Sequence, residues 1–293
     1  MTVSIRWTYL SVWTSYSLTM KYIDLFSGIG SFHYSFRKAG WDCVLASDIC
    51  GPACDTYKTN YSVTPVGDIV DIDETKVPAM DIVCAGFPCQ PFSQAGKRLG
   101  FQDATRGTMF WQVMKFVRHH KPSILILENV RGLLNHENGD TLKTIIGEIE
   151  GEGYKVSYKL LKCSDYGIPQ MRYRLFIVGS TVYDPCELLD FDRFHKTVTL
   201  SEFFGRSFER DTAYTIRCGG RRSGLGNKHN WDTYMVDGSE YNLTIEDALR
   251  LQGFPSDFRL SGSTAQQWKL LGNTIPTIFT EMLCENIKRS SRN

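Results

Sequence analysis

Cys89 stands between Pro88 and Gln90-Pro91 in the run Gly86-Phe-Pro-Cys-Gln-Pro-Phe-Ser93, so its thiol is held in a rigid turn at a strand end. A partly exposed thiol with positive charge nearby can become a nucleophilic thiolate. A cysteine that serves only packing would sit inside an apolar run, as Cys84 does within Ile82 to Ala85. Glu128 follows the apolar residues Ile124-Leu-Ile-Leu127 and emerges at the same sheet edge as Cys89, either as an acid or as a strand-terminal cap. Arg172 and Arg174 alternate in Gln170-Met-Arg-Tyr-Arg174, and the period of two puts both on one face. There they can hold developing negative charge or pair with surface acids. The flanking stretch Ser93-Gln-Ala-Gly-Lys-Arg-Leu-Gly100, with Lys97 and Arg98, is polar, basic and punctuated by glycine, as a closing segment over Gln94 to Gln102 would be.

A second group of residues suits a nucleotide-type ligand. Phe26-Ser27-Gly28-Ile29-Gly30-Ser31 joins a strand to a helix, and its glycines let the backbone approach a ligand closely. Asp48 ends the next strand about twenty residues on, the usual place for an acceptor of ribose hydroxyls. Asp68, in Gly67-Asp68-Ile69, is a third strand-end candidate and could accept from an adenine amino group or simply terminate a turn. A dinucleotide fingerprint would need a third glycine where His33 stands.

These residues need a scaffold, and the apolar pattern supplies one. Strands are predicted over Tyr22–Phe26, Cys43–Ala46, Asp81–Ala85, Ile124–Leu127 and Leu175–Val178. Between them fall helical stripes: Phe32 with Phe36, then Phe110, Val113 and Val117 before Pro122, then residues 141–150. Strands alternating with helices argue an α/β fold, a doubly wound and mostly parallel sheet covered on both faces. Ligands of such sheets collect at the carboxyl ends of the strands, where the candidate residues cluster. After Gly179 the periodicity is lost until Ser263 and Gln266 form a capping box for a helix running to Leu271. The expected division is therefore a larger domain of residues 20–179 plus 271–293, a small irregular domain of 180–270, and a possible extension over 1–19.

Composition bounds the partners. The 293 residues hold 33 Lys plus Arg against 32 Asp plus Glu, a net charge of +1 that excludes a globally basic coat. Between Phe204 and Asn230, however, Arg206, Arg210, Arg217, Arg221, Arg222 and Lys228 face only Glu209 and Asp211, a local basic surplus next to Tyr214, His229 and Trp231. No apolar run is long enough to span a membrane. The nine cysteines are an odd number without a framework, which fits reduced, intracellular thiols. Only Cys50 and Cys54 are closely spaced, so no metal site is expected.

In order along the chain, Asp24-Leu-Phe-Ser-Gly-Ile-Gly30, Gly67-Asp-Ile69, Gly86-Phe-Pro-Cys-Gln-Pro-Phe-Ser93, Glu128-Asn-Val130, Gln170-Met-Arg-Tyr-Arg174, Arg250-Leu-Gln-Gly-Phe-Pro255 and Gly272-Asn-Thr274 resemble the motifs of the cytosine-5 DNA methyltransferases. The resemblance spans Asp24 to Pro276. Two positions depart from it: Ser31 stands where another glycine is usual, with looser loop packing expected, and Asp48 where glutamate is usual.

The resemblance implies the class I S-adenosylmethionine-dependent methyltransferase fold with a small target-recognition domain. It implies methyl transfer to C5 of a cytosine flipped out of double-stranded DNA. Cys89 would attack C6, Glu128 would donate to N3, and Arg172 and Arg174 would hold O2. S-adenosylmethionine would sit on Phe26, Ser27, Gly28, Ile29, Gly30, Asp48, Asp68, Ile69 and Asn273. Gln90, Ser93, Lys97, Arg98, Arg217, Arg221 and Arg222 would meet DNA. The recognition stretch is short, so a target on the order of two to four base pairs is expected. A monomer inside a prokaryotic cell (or an infected host cell), modifying DNA in a restriction-modification system with a separate endonuclease, completes the expectation. The family's transfer-RNA branch shares the catalytic set. A nicotinamide oxidoreductase would leave Cys89, Glu128 and Arg172 unexplained, and an intact catalytic set argues against a mere DNA-binding module.

Overall fold

The computed structural model describes residues 19–88 and 109–292. Cys89, Gln90, Ser93, Lys97, Arg98, the expected closing segment and residues 1–18 lie outside them.

Six strands form one sheet: β1 (Lys21–Leu25), β2 (Asp42–Ser47), β3 (Ile82–Ala85), β4 (Ile124–Val130), β5 (Lys155–Lys162) and β6 (Tyr173–Ser180), in the order β2-β1-β3-β4-β6-β5. β1 to β4 run parallel, and β6 is antiparallel to both of its neighbours. The strand period of two sorts side chains onto two cores. Tyr22, Ile82, Cys84, Ile124, Ile126, Phe176 and Val178 face one, and Ile23, Leu25, Val83, Ala85, Leu125, Leu127 and Ile177 face the other. Strands apolar on both faces must be covered on both. Helices α1 (Ser31–Lys38) and α2 (Gly51–Tyr61) bury Phe32, Phe36 and Tyr57 against the first face. Helices α3 (Met109–His120) and α4 (Asp140–Gly151) bury Phe110, Val113, Ile145 and Ile149 against the second. This is the α/β layering expected from the alternating pattern.

After β6 the short helix α5 (Pro185–Leu188) still packs on the larger layer. Asn286 Nδ2 donates to the carbonyls of Leu188 and Asp190 at 3.1 and 2.8 Å, and Arg193 Nη2 donates to Asn286 Oδ1 at 2.9 Å. The packed body thus runs past Gly179, where the periodicity lapses, because a short helix anchored by one buried amide leaves no repeat to read. The small unit follows: α6 (Leu200–Phe204), the antiparallel hairpin β7 (Thr233–Val236) and β8 (Ser239–Asn242), and α7 (Ile245–Leu251). The helix opened by Ser263 and Gln266 is α8 (Thr264–Asn273), with both halves of the capping box formed. α9 (Thr277–Ser290) then returns to pack on α1. Trp231 of the small unit meets Trp268 of α8 edge to face, with centroids 5.5 Å apart, so the two units share one core. Among the described residues no helix is long and apolar enough to cross a membrane.

Candidate active site

Strand parity builds the acid–base pair. Ile124, Ile126 and Glu128 lie on one face of β4, and Val178, Phe176 and Arg174 on the same face of β6, with Glu128 opposite Phe176 and Val130 opposite Arg174 in register. Glu128 and Arg174 are therefore diagonal neighbours, within reach of long side chains. Arg174 Nε lies 2.6 Å from Glu128 Oε1, with both side chains about nine-tenths buried. Burial pushes the Glu128 carboxyl up from its ordinary value, and the charges of Arg174 and then Arg172 oppose that rise. The carboxyl group can therefore hold a proton more tightly than a free glutamate, while an adjacent cation limits the effect.

Arg172 occupies a different place. It is 1% exposed and its guanidinium is taken by three main-chain carbonyls: Nη1 donates to Ile216 at 3.0 Å, and Nη2 to Gly272 at 2.7 Å and Thr274 at 2.6 Å. It does not line the cavity described below, whereas Arg174 does. Of the two arginines expected to hold a base, the geometry brings only Arg174 to the Glu128 pocket. Arg172 pins three chain segments together: its own, just ahead of β6, the stretch at Ile216 and the end of α8. Gln170 works beside it, donating from Nε2 to Leu251 O at 2.7 Å and accepting from Ile216 N at 3.2 Å. The fit at Gly272 is close, since a Cβ there would lie 2.6 Å from Cys218 N and 2.7 Å from the carbonyl carbon of Arg217.

The turn ahead of Cys89 is held from β4. Asn129, 3% exposed, donates from Nδ2 to Phe87 O at 2.9 Å and accepts from Val130 N at 2.9 Å. Gly86 passes so close to the acid that a Cβ would lie 3.3 Å from Glu128 Oε2. Asn129 was not among the residues singled out, although it follows Glu128 directly in the motif. Cys89 is the residue after Pro88, the last described residue of this turn and part of the cavity wall.

A cavity of about 470 Å³ opens at the carboxyl ends of β1, β3 and β4, and Glu128 and the glycine loop share its wall. Phe26, at φ 55°, adopts a left-handed conformation rare for a residue with a side chain, and Gly28 follows at the same φ. A Cβ on Gly28 would touch nothing within 4 Å, so it faces open space, whereas one on Gly30 would drive into the rings of Tyr57 and Tyr61. Gly28 is thus free for ligand approach, and Gly30 lets the loop pack against α2. Asp48 Oδ2 accepts from Gly28 N at 2.7 Å and Oδ1 from Cys50 N at 2.8 Å, fixing the loop to the end of β2. Ser31 does not loosen the loop as expected: it is buried, and its hydroxyl donates to Ile275 O at 2.6 Å, tying the loop to the chain beyond α8. Asn273, Thr274 and Ile275 close the cavity from that side.

Asp68 and Ile69 are placed otherwise. Asp68 Oδ1 caps a short turn by accepting from Val70 N at 3.0 Å, Ile69 is buried in the second core, and the cavity wall is formed without either. Asp24, by contrast, lines the floor although sequence reasoning assigned it no role. It is 1% exposed, burial pushes its carboxyl well up, and Tyr57 Oη donates to it at 3.4 Å. Its signal was its place in the first motif, masked by its position inside a buried strand.

Of the basic residues expected on the recognition face, Arg217 and Arg222 are exposed. Arg221 is committed internally: its guanidinium stacks 4.1 Å from the Trp268 ring centre, and its Nε is 3.4 Å from Asp232 Oδ2. Arg206 pairs with Asp237 at 3.2 Å, and Arg210 lies over Tyr214 at 4.1 Å.

The family model of the C-5 cytosine-specific DNA methylases matches residues 20–203 and 196–289. The chain belongs to that family. It is 37% identical over 303 residues to the type II methyltransferase M.MspI of Moraxella, covering 93% of this chain and 71% of that protein. Identity is also 37% over 306 residues to M.NlaX of Neisseria lactamica, covering 92% and 96%. Among solved structures, the Entamoeba histolytica methyltransferase EhMeth superposes with a TM-score of 0.70 at 16% identity, covering 94% of this chain and 99% of that one. The S. pombe Dnmt2 methyltransferase superposes at 0.67 with 17% identity and the same coverage. These superpositions carry the fold alone, that of the class I methyltransferases. As a member of the C-5 cytosine-specific family, the chain is a DNA cytosine-5 methyltransferase.

Proposed function

We propose that this enzyme methylates C5 of a cytosine flipped out of a short target in double-stranded DNA, through a transient bond between Cys89 and C6. The observation that carries the reading is the buried Glu128–Arg174 pair, open to the same cavity as the glycine loop. Cytosine C5 is a poor nucleophile and gains electron density only when a nucleophile adds at C6. That addition puts charge on the ring, and a proton delivered to N3 relieves it. Glu128, whose carboxyl is raised by burial, supplies the proton, while Arg174 holds the carboxyl at Oε1. Arg174 orients that carboxyl and offers its remaining N–H groups to O2 of the base. Cys89 follows Pro88 in the chain, and Pro88 lines the cavity next to Phe87, whose carbonyl Asn129 holds. After methylation the N3 proton returns to Glu128 and the C5 proton passes to solvent, so the C5–C6 double bond reforms and the Cys89 thiolate leaves.

The cavity suits S-adenosylmethionine, which supplies an electrophilic methyl group when bound. Ser27 Oγ is buried on the wall with no hydrogen-bond partner among the described residues, an orphan donor that a ligand can satisfy. The open space beside Gly28 admits a ligand against the main chain, and the volume lies within the range of small-molecule sites. Phe26, Ser27, Gly28, Ile29, Asp48 and Asn273 would hold it.

Arg217 and Arg222 are the exposed candidates for reading bases, with a target on the order of two to four base pairs. Because its relatives are named type II methyltransferases, we place the enzyme in a restriction-modification system, acting as a monomer inside the cell beside a separate endonuclease. Bisulfite sequencing of DNA treated with the enzyme tests both site and length: a consensus of six or more fixed positions would refute the short target.

A further inference from the structure

At the carboxyl end of β4, on the sheet face opposite Glu128, two cations bracket an aromatic ring. Arg131 follows Val130, which lines the cavity and is 46% exposed. The Arg131 guanidinium carbon lies 5.1 Å from the centre of the Tyr173 ring, and Lys162 Nζ lies 6.0 Å from the same centre. Lys162 is the cross-strand partner of Tyr173 on β5. Parity explains the arrangement. Tyr173 is next to Arg174 on β6 and Lys162 is its partner on β5, so both leave the sheet on the side away from Arg174, and Arg131, in the turn that follows β4, reaches the same ring.

Several cations of the protein are neutralised by a carboxylate; these two are held by a ring instead. Arg118 has Glu148 and Glu152 within 3.1 Å, Lys121 has Glu152 at 2.6 Å, and Lys38 has Glu281 at 2.8 Å. Arg131 has no ion pair among the described residues, and Lys162 has only the loose contact with Asp165 at 3.9 Å. Tyr173 holds the two heads by their faces while leaving their charge unneutralised. Arg131 follows Val130 and Tyr173 precedes Arg174, both residues of the cavity wall, so two cations that no close carboxylate neutralises stand next to the site and can take an anion.

We propose that Arg131 and Lys162, steadied by Tyr173, each bind a backbone phosphate of the DNA beside the flipped nucleotide. This rests on the reading of the enzyme as acting on flipped cytosine in duplex DNA. Phosphate contacts position a duplex without reading its sequence, so this site would fix register while the small unit supplies specificity.

The test is the salt dependence of binding to an unmethylated duplex of mixed sequence, using the full chain. Each phosphate contact removed lowers the slope of log K against log salt by about 0.9. The double variant R131A/K162A is expected to lose about 1.8 of slope and to weaken binding of all duplexes alike. The charge-conserving R131K/K162R keeps the wild-type slope, and K38A, on a cation already paired, leaves it unchanged. An unaltered slope in R131A/K162A, or an equal loss in R131K/K162R, overturns the proposal. If the wild type itself neither binds nor methylates duplex DNA, the parent reading fails and this site with it.

Discussion

Arg174 Nε and Glu128 Oε1 lie 2.6 Å apart across β4 and β6, in a site where each side chain is about nine-tenths buried. The pair is diagonal rather than directly opposed, so it owes its contact to side-chain length, and shortening either member should open it. Glu128→Gln keeps shape and removes the titrating proton; methyl transfer should fall by about 10²–10⁴-fold with little change in binding of either substrate. Arg174→Ala leaves a buried carboxyl unpaired and should cost about 3–5 kcal/mol of stability. Single-turnover kinetics and denaturant melts separate the two outcomes.

The raised Glu128 carboxyl has a signed consequence for pH. A group that holds its proton more tightly in the folded state stabilises that state below its unfolded value and loses the contribution as pH rises through its folded value. Its usefulness as a proton donor ends over the same interval. The single-turnover rate should therefore carry a falling limb on the alkaline side of the ordinary carboxylate range, absent in Glu128→Gln. A wild-type profile without that limb would remove Glu128 as the acid.

Arg172 should behave as a fastener and not as a base contact. Arg172→Met strips the donor from three buried carbonyls, at Ile216, Gly272 and Thr274, which on ordinary hydrogen-bond energetics costs about 3–5 kcal/mol. Because those carbonyls belong to both the recognition stretch and the cavity wall, KM for DNA and for S-adenosylmethionine should rise together. A stable Arg172→Met protein with only kcat lowered would return Arg172 to the base.

His33 gives an acid-side prediction. It is 5% exposed, its Nδ1 lies 2.8 Å from Tyr57 Oη, and burial followed by the nearby Arg37 charge lowers its pKa to about 4. A base with a depressed folded value contributes stability above its unfolded value, lost as pH falls toward the folded one. Between about pH 6.5 and 4, wild type should lose on the order of 2 kcal/mol that His33→Gln does not lose. Melting temperatures across that range decide it, and parallel losses in the two proteins would exclude His33 as the source.

Asp48 tests the cofactor side. Both its oxygens accept main-chain N–H groups, from Gly28 and Cys50, so Asp48→Ala frees the glycine loop from the end of β2. KM for S-adenosylmethionine should rise at least about tenfold, the equivalent of one charged hydrogen bond, with DNA affinity in its absence unchanged. Calorimetric titration with each ligand reads this, and unaltered cofactor affinity would place the ligand elsewhere.

Much of this was legible because a buried parallel strand writes itself as an uninterrupted apolar run. Ile124 to Leu127 and Leu175 to Val178 announce both their strands and the polar residues at their ends. The same uniformity hides direction, so nothing in Leu175-Phe-Ile-Val178 says that β6 runs antiparallel. β5 escaped notice because an edge strand mixes lysines with half-buried residues. Arg172 and Arg174 share parity, so alternation put both on one face, and the register of β6 with β4 makes it the face of Glu128 for Arg174. What separates them is a shift of about 6–7 Å along the strand, two residues' rise, which carries Arg172 under Gly272 and away from the cavity. Asp68 and Arg221 look like ligands in a list of residue types; a turn needing a cap and a tryptophan needing a cover claim them first.

The most direct test of the central claim is transfer of labelled methyl groups from S-adenosylmethionine, with wild type and Cys89→Ser, to unmethylated duplex DNA and, in parallel, to transfer RNA. The account predicts 5-methylcytosine in the DNA with wild type, none with Cys89→Ser, and none in the RNA. Label confined to RNA, or label in DNA that survives Cys89→Ser, would contradict it.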